Sequence, residues 1–131
     1  MTNFSLRKGL VGLTIATLSF SAASAMAADA SAPASASFVV KSAADGNIRS
    51  AAKAFKKGEF AQSASYSRIA LKSNLSDRRA AIAQSNLCAA YAAMGDMDDA
   101  KAACDAAIEL RADYAPAIAN KTALTVKLAE K

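Results

Sequence analysis

The sequence predicts an all-α fold: about five helices forming antiparallel helix–turn–helix repeats, two repeats plus a C-terminal capping helix. Three observations carry this. No segment beyond Phe38-Val39-Val40 alternates apolar and polar residues as a half-buried strand does. Between Asp77 and Gly95, the apolar residues Ala80, Ala83, Leu87, Ala90, Tyr91 and Met94 recur at spacings of three and four, which makes one helical stripe. Finally, "AFKKGEFAQSASYSRIALKS" (54–73) and "AAMGDMDDAKAACDAAIELR" (92–111) share the order helix, glycine, acidic residue, apolar residue, helix, with the glycines 37 residues apart. Recurring helix pairs imply a stacked array in which each pair buries its apolar side on the next.

Each helix has its own signals. The first is expected over about 43–57, stopped by Gly58, and the second over about 60–73. The third begins near Asp77, after a candidate N-cap at Ser76, and ends at Gly95. The fourth starts at the N-cap Asp96, with Asp98 and Asp99 in its first turn, where carboxylates suit free N–H groups and the helix dipole. Its stripe is Met97, Ala100, Cys104, Ala107 and Ile108; Lys101, Asp105 and Glu109 take the wet side. The last runs from about Tyr114 to Ala129, with Pro116 tolerated in the first turn.

The first residues lie outside this pattern. Arg7 and Lys8 precede an uncharged apolar run to about Phe20, and small residues then lead to Ala25-Met26-Ala27. These are the three parts of a secretory signal peptide, 1–27, with cleavage expected after Ala27 and Ala25 as the second choice. The apolar run is shorter than the ~20 residues that span a bilayer, so stable membrane insertion after cleavage is not expected. Residues 28–42, rich in alanine and serine, read as a flexible linker, and 43–131 as the helical domain. The exported chain is expected in the periplasm or outside the cell.

Charge narrows the partners. Without the leader, fourteen Lys and Arg remain against eleven Asp and Glu, too small an excess for a nucleic-acid surface. Basic residues dominate 41–79 and acidic ones 80–113. That division fits solvated helix faces, and also self-association between opposite-sign modules.

Catalysis finds little footing. The chain has no histidine, the usual base near neutral pH and the commonest metal ligand. Its five glycines are scattered and make no phosphate-binding loop. Asp96, Asp98 and Asp99 lack the later glutamate and central glycine of a calcium loop. The expectation is therefore no enzyme, no cofactor and no metal.

The two cysteines carry the one covalent expectation. In a hairpin folding at Gly95-Asp96, Cys88 and Cys104 fall opposite each other on the inward stripes. Helix axes normally pack ~8–10 Å apart, whereas a disulfide needs Cα atoms within ~7 Å. Ala89, Ala92, Ala100 and Ala103 permit the closer approach. An oxidising compartment favours the bond; the alternative is two buried thiols packed as small core residues.

Residues 81–114 resemble a tetratricopeptide repeat, through Leu87, Tyr91, Gly95-Asp96, Ala100, Ala107 and the exit "AAIELRADYAPA". Residues 44–77 match more loosely through Gly58, Phe60, Ser63 and Ala70, and 115–131 resemble the first helix of a third repeat. Gln84, Cys88 and Ala112 depart from the family's preferences. The resemblance implies a concave groove lined by the first helix of each repeat, with an asparagine holding a peptide backbone. Asn86 and Asn120 occupy that position here, and repeat one has Arg49; Lys56 and Lys127 share the face. These residues also fit an ordinary solvated helix face. The resemblance implies a non-enzymatic scaffold or adaptor of the bacterial cell envelope, its partner unspecified. The alternative is a structural or stress-related secreted helical protein without a peptide groove.

Overall fold

Asp45 caps the first described helix: its Oδ1 accepts hydrogen bonds from the N–H groups of Asn47 and Ile48, at 2.9 and 3.0 Å. The structure, a computed structural model, describes residues 37–131. The expected signal peptide, and the linker up to residue 36, lie outside the described residues. Five helices follow Asp45: α1 (Gly46–Lys56), α2 (Phe60–Leu71), α3 (Asp77–Met94), α4 (Met97–Leu110) and α5 (Ala115–Ala129). There is no strand among the described residues. The all-α prediction holds, with helix ends within a few residues of those expected.

Both hairpins turn in the same way. Gly58 and Gly95 sit at φ of 80° and 88°, the left-handed region that glycine enters without a Cβ penalty. In the first turn, the N–H groups of Gly58 and Glu59 donate to the carbonyls of Phe55 and Ala54. In the second, those of Gly95 and Asp96 donate to Ala92 and Tyr91. These bonds satisfy carbonyls that the helix end leaves free. The repeated glycine of the sequence is thus a repeated backbone reversal.

The N-caps are uneven. Ser76 and Asp96 occupy their expected positions, but neither side chain makes a capping hydrogen bond. Asp45 does, and the sequence reading passed over it.

Helix α3 packs against all four other helices. That explains a departure from the expected one-sided stripe: α3 is buried nearly all round, from Ala81 through Ala92, with Gln84 and Tyr91 half-buried. Met94, assigned to the stripe, is exposed. In α4 the stripe is confirmed at Ala100, Cys104 and Ala107, joined by Ala103. The core is made largely of alanine, so helices approach closely. At Cys88 and Cys104 the Cα atoms are 5.1 Å apart and the sulfurs lie at disulfide-bonding distance. The four alanines expected to permit this approach are all buried.

Candidate functional site

The packing pattern defines two layers. Helix α3 touches α1 and α5, whereas α2 and α4 make no comparable contact with each other among the described residues. The first helix of each pair therefore lies on the inner side of the array. Asn86 projects from α3 and Asn120 from α5, with only 1% and 0% of their surfaces exposed. Buried amides at such positions need partners.

The partners come from the chain's own leading segment. Residues 37–43 belong to no helix, and Phe38, Val39 and Val40 are half-buried. Asn120 Oδ1 accepts from the Val39 N–H at 2.6 Å, and its Nδ2 donates to the Val39 carbonyl at 2.8 Å. Asn86 treats Lys41 in the same way: Oδ1 accepts from the N–H, and Nδ2 donates to the carbonyl, both at 2.8 Å. An amide side chain offers both a donor and an acceptor, so it can satisfy a whole peptide unit. Val39 and Lys41 are two residues apart, and alternate residues of an extended chain point the same way.

Arg49 continues the series. Its Nη2 donates to the Ala44 carbonyl at 3.0 Å, from an exposed position on α1. The leading segment thus passes Asn120, Asn86 and Arg49 in turn, crossing α5 and α3 before it becomes α1. Asn120 is further fixed by Ser85, whose carbonyl and Oγ accept from Nδ2 at 3.1 and 3.0 Å. This second partner joins α5 to α3 and holds the amide in place.

Beyond Val39 lies an apolar end. Phe38 packs against the cluster built around Leu87, Cys88, Cys104 and Leu124. Lys127 Nζ stands 6.0 Å from the centre of its ring, within cation–π range, and donates to the Ala92 carbonyl at 2.8 Å. Lys56 and Lys127 border an open surface depression of about 780 Å3, together with Phe38, Val39, Val40, Phe55 and Phe60. Of the five residues singled out by sequence, Asn86 and Asn120 meet on one segment, and Arg49 holds its continuation. The two lysines border the depression beside it.

What sequence reasoning missed was the occupant. Phe38 to Lys41 fell at the end of the linker 28–42, yet they hold a fixed place across two helices. The available signal was the aromatic and β-branched run Phe38-Val39-Val40, which interrupts the alanine and serine of the linker. Such residues favour extended, half-buried positions.

Elsewhere the titratable groups are superficial. Asp105 lies between Lys101 on its own helix and Lys121 on α5, at 2.7 and 2.8 Å, and these ammonium groups hold its carboxyl below the ordinary value. Half-burial pushes the Tyr114 hydroxyl up. Among the described residues, no group of three His, Cys, Asp or Glu side chains is placed to hold a metal ion. No described helix is long and apolar enough to cross a membrane. No protein-family model, curated protein or solved structure matches the chain.

Proposed function

We propose that this chain is a non-enzymatic protein-interaction module of the cell envelope, built on tetratricopeptide-like repeats, that grips an extended peptide through Asn86 and Asn120. One observation carries the reading. Each of these buried amides pairs with both the N–H and the carbonyl of a single residue in a non-helical segment. Backbone pairing of this kind gives affinity without fixing sequence, as peptide-binding surfaces require. The signal-peptide pattern and the closely placed cysteines support export to an oxidising compartment.

The second reading, a structural or stress-related envelope protein without a peptide groove, draws support from the same place, because the chain fills its own groove. Capture from native envelope extract separates them. The interaction reading expects specific partners that Asn86→Ala and Asn120→Ala lose while circular dichroism stays helical. Capture unchanged by both substitutions sinks it.

A further inference from the structure

We propose that Phe38–Lys41 is a built-in occupant of the groove, and that the partner displacing it is an extended peptide that presents an aromatic residue followed by two β-branched ones. The proposal rests on the interaction reading above and deepens it by naming the ligand class.

The pattern follows from what each position meets. Val39 and Lys41 are both held by backbone, and the exposed Lys41 side chain does little to define the ligand. Phe38, Val39 and Val40 are the readers: Phe38 lies on the core cluster beside Lys127, and both valines border the open apolar depression with Phe55 and Phe60. The Lys41 side chain is exposed, so a basic group there stays in water while its peptide unit is held.

The attachment is also of a kind that lets go. The segment makes no helical or sheet hydrogen bonds; its hold on the groove is four neutral side-chain bonds and the contacts of three half-buried apolar side chains. Residues 42–44 join it to the Asp45 cap, so it can leave without unwinding α1. While tethered so closely it competes at an effective concentration of the order of millimolar. A free peptide of the same pattern should therefore bind the unaltered chain poorly, and bind well once the internal segment is weakened.

Proline supplies that weakening, because it lacks the N–H that each asparagine oxygen accepts. In the full chain, Val39→Pro with Lys41→Pro leaves Asn86 and Asn120 untouched. The probe is fluorescein-labelled Ser-Phe-Val-Val-Lys-Ser, read by anisotropy. The double-proline chain should bind it at least about tenfold more tightly than the unaltered chain, and adding Asn86→Ala should remove the gain. If the double-proline chain is helical and binds no better, the proposal is overturned. Should the prolines prevent folding, hydrogen exchange on the unaltered chain decides. The Val39 and Lys41 amides should exchange at least about tenfold faster than that of Cys88; equal protection overturns the proposal. Capture of an envelope partner that needs Asn86 and Asn120, but does not increase with the two prolines, leaves the interaction reading standing and removes this one.

Discussion

Asn120 spends its whole amide on the Val39 peptide unit and on Ser85, two segments that lie 81 and 35 residues away in sequence. A single buried side chain thereby ties the leading segment, α3 and α5 together. Asn120→Ala would leave the half-buried Val39 N–H and the buried Ser85 hydroxyl short of partners, and each such loss costs about 1–3 kcal/mol. We expect a loss of about 2–4 kcal/mol in urea unfolding, on the scale of broken buried networks. Asn86→Ala, which releases only Lys41, should cost about half as much. Asn120→Asp should be at least as damaging as the alanine change. A carboxylate still accepts from Val39 and can accept from the Ser85 hydroxyl, but it faces the carbonyls of Val39 and Ser85 with no proton to donate.

The layout of the helices was legible because helix signals are local. Glycine at the two reversals, and apolar spacing in α4, need no knowledge of distant residues. The same spacing misled in α3, whose central place among four neighbours buries residues on every face; Met94, at its end, stays exposed. The positions of Asn86, Asn120 and Arg49 followed from the repeat register. Their occupant did not, since the bond from Asn120 to Val39 joins residues 81 apart. Only the character of Phe38-Val39-Val40 hinted that this part of the linker was destined for a surface.

Reduction should weaken the domain without changing its fold. The Cys88–Cys104 bond closes a loop with a sequence separation of 16, for which restricting the unfolded chain is worth about 3 kcal/mol. Urea midpoints with and without a phosphine reductant check this. The helical circular dichroism should be retained at zero denaturant, and the midpoint should fall. Cys88→Ala with Cys104→Ala should reproduce the reduced midpoint and lose all sensitivity to the reductant.

The repeat offers a second place for the same staple. The glycines of the two turns are 37 residues apart, and that offset carries Cys88 onto Ala51 and Cys104 onto Ser67. Both are buried, at 0% exposure, and Ser63 Oγ donates to the Ala51 carbonyl at 2.9 Å, so α1 and α2 approach closely there. Ser67 Oγ has no hydrogen-bond partner among the described residues, so little is lost by replacing it. Ala51→Cys with Ser67→Cys should form a bond across the first hairpin. Intact mass after alkylation should show no free thiol, and stability should rise by up to about 3 kcal/mol. Two alkylated thiols would show that the hairpins differ in spacing at this point.

Asp105 supplies the acid-sensitive contact between α4 and α5. Its carboxylate takes a hydrogen bond from Lys101 and forms an ion pair with Lys121, and both ammonium groups hold its pKa below the ordinary carboxylate value. A lowered folded pKa means that the unfolded chain binds the proton more readily. The contribution is therefore fully present above the unfolded value of about 3.9, and is lost as pH falls through the lowered folded one. The side chain is 29% exposed and its lysine partners more so, which limits the whole network to about 1 kcal/mol or less. Asp105→Asn should lower the urea midpoint slightly at pH 7. The difference from the unaltered chain should shrink in high salt, which screens exposed charges. It should vanish in acid, once both states carry the proton. A gap that persists there would mean that Asp105 acts through packing, not through its charge.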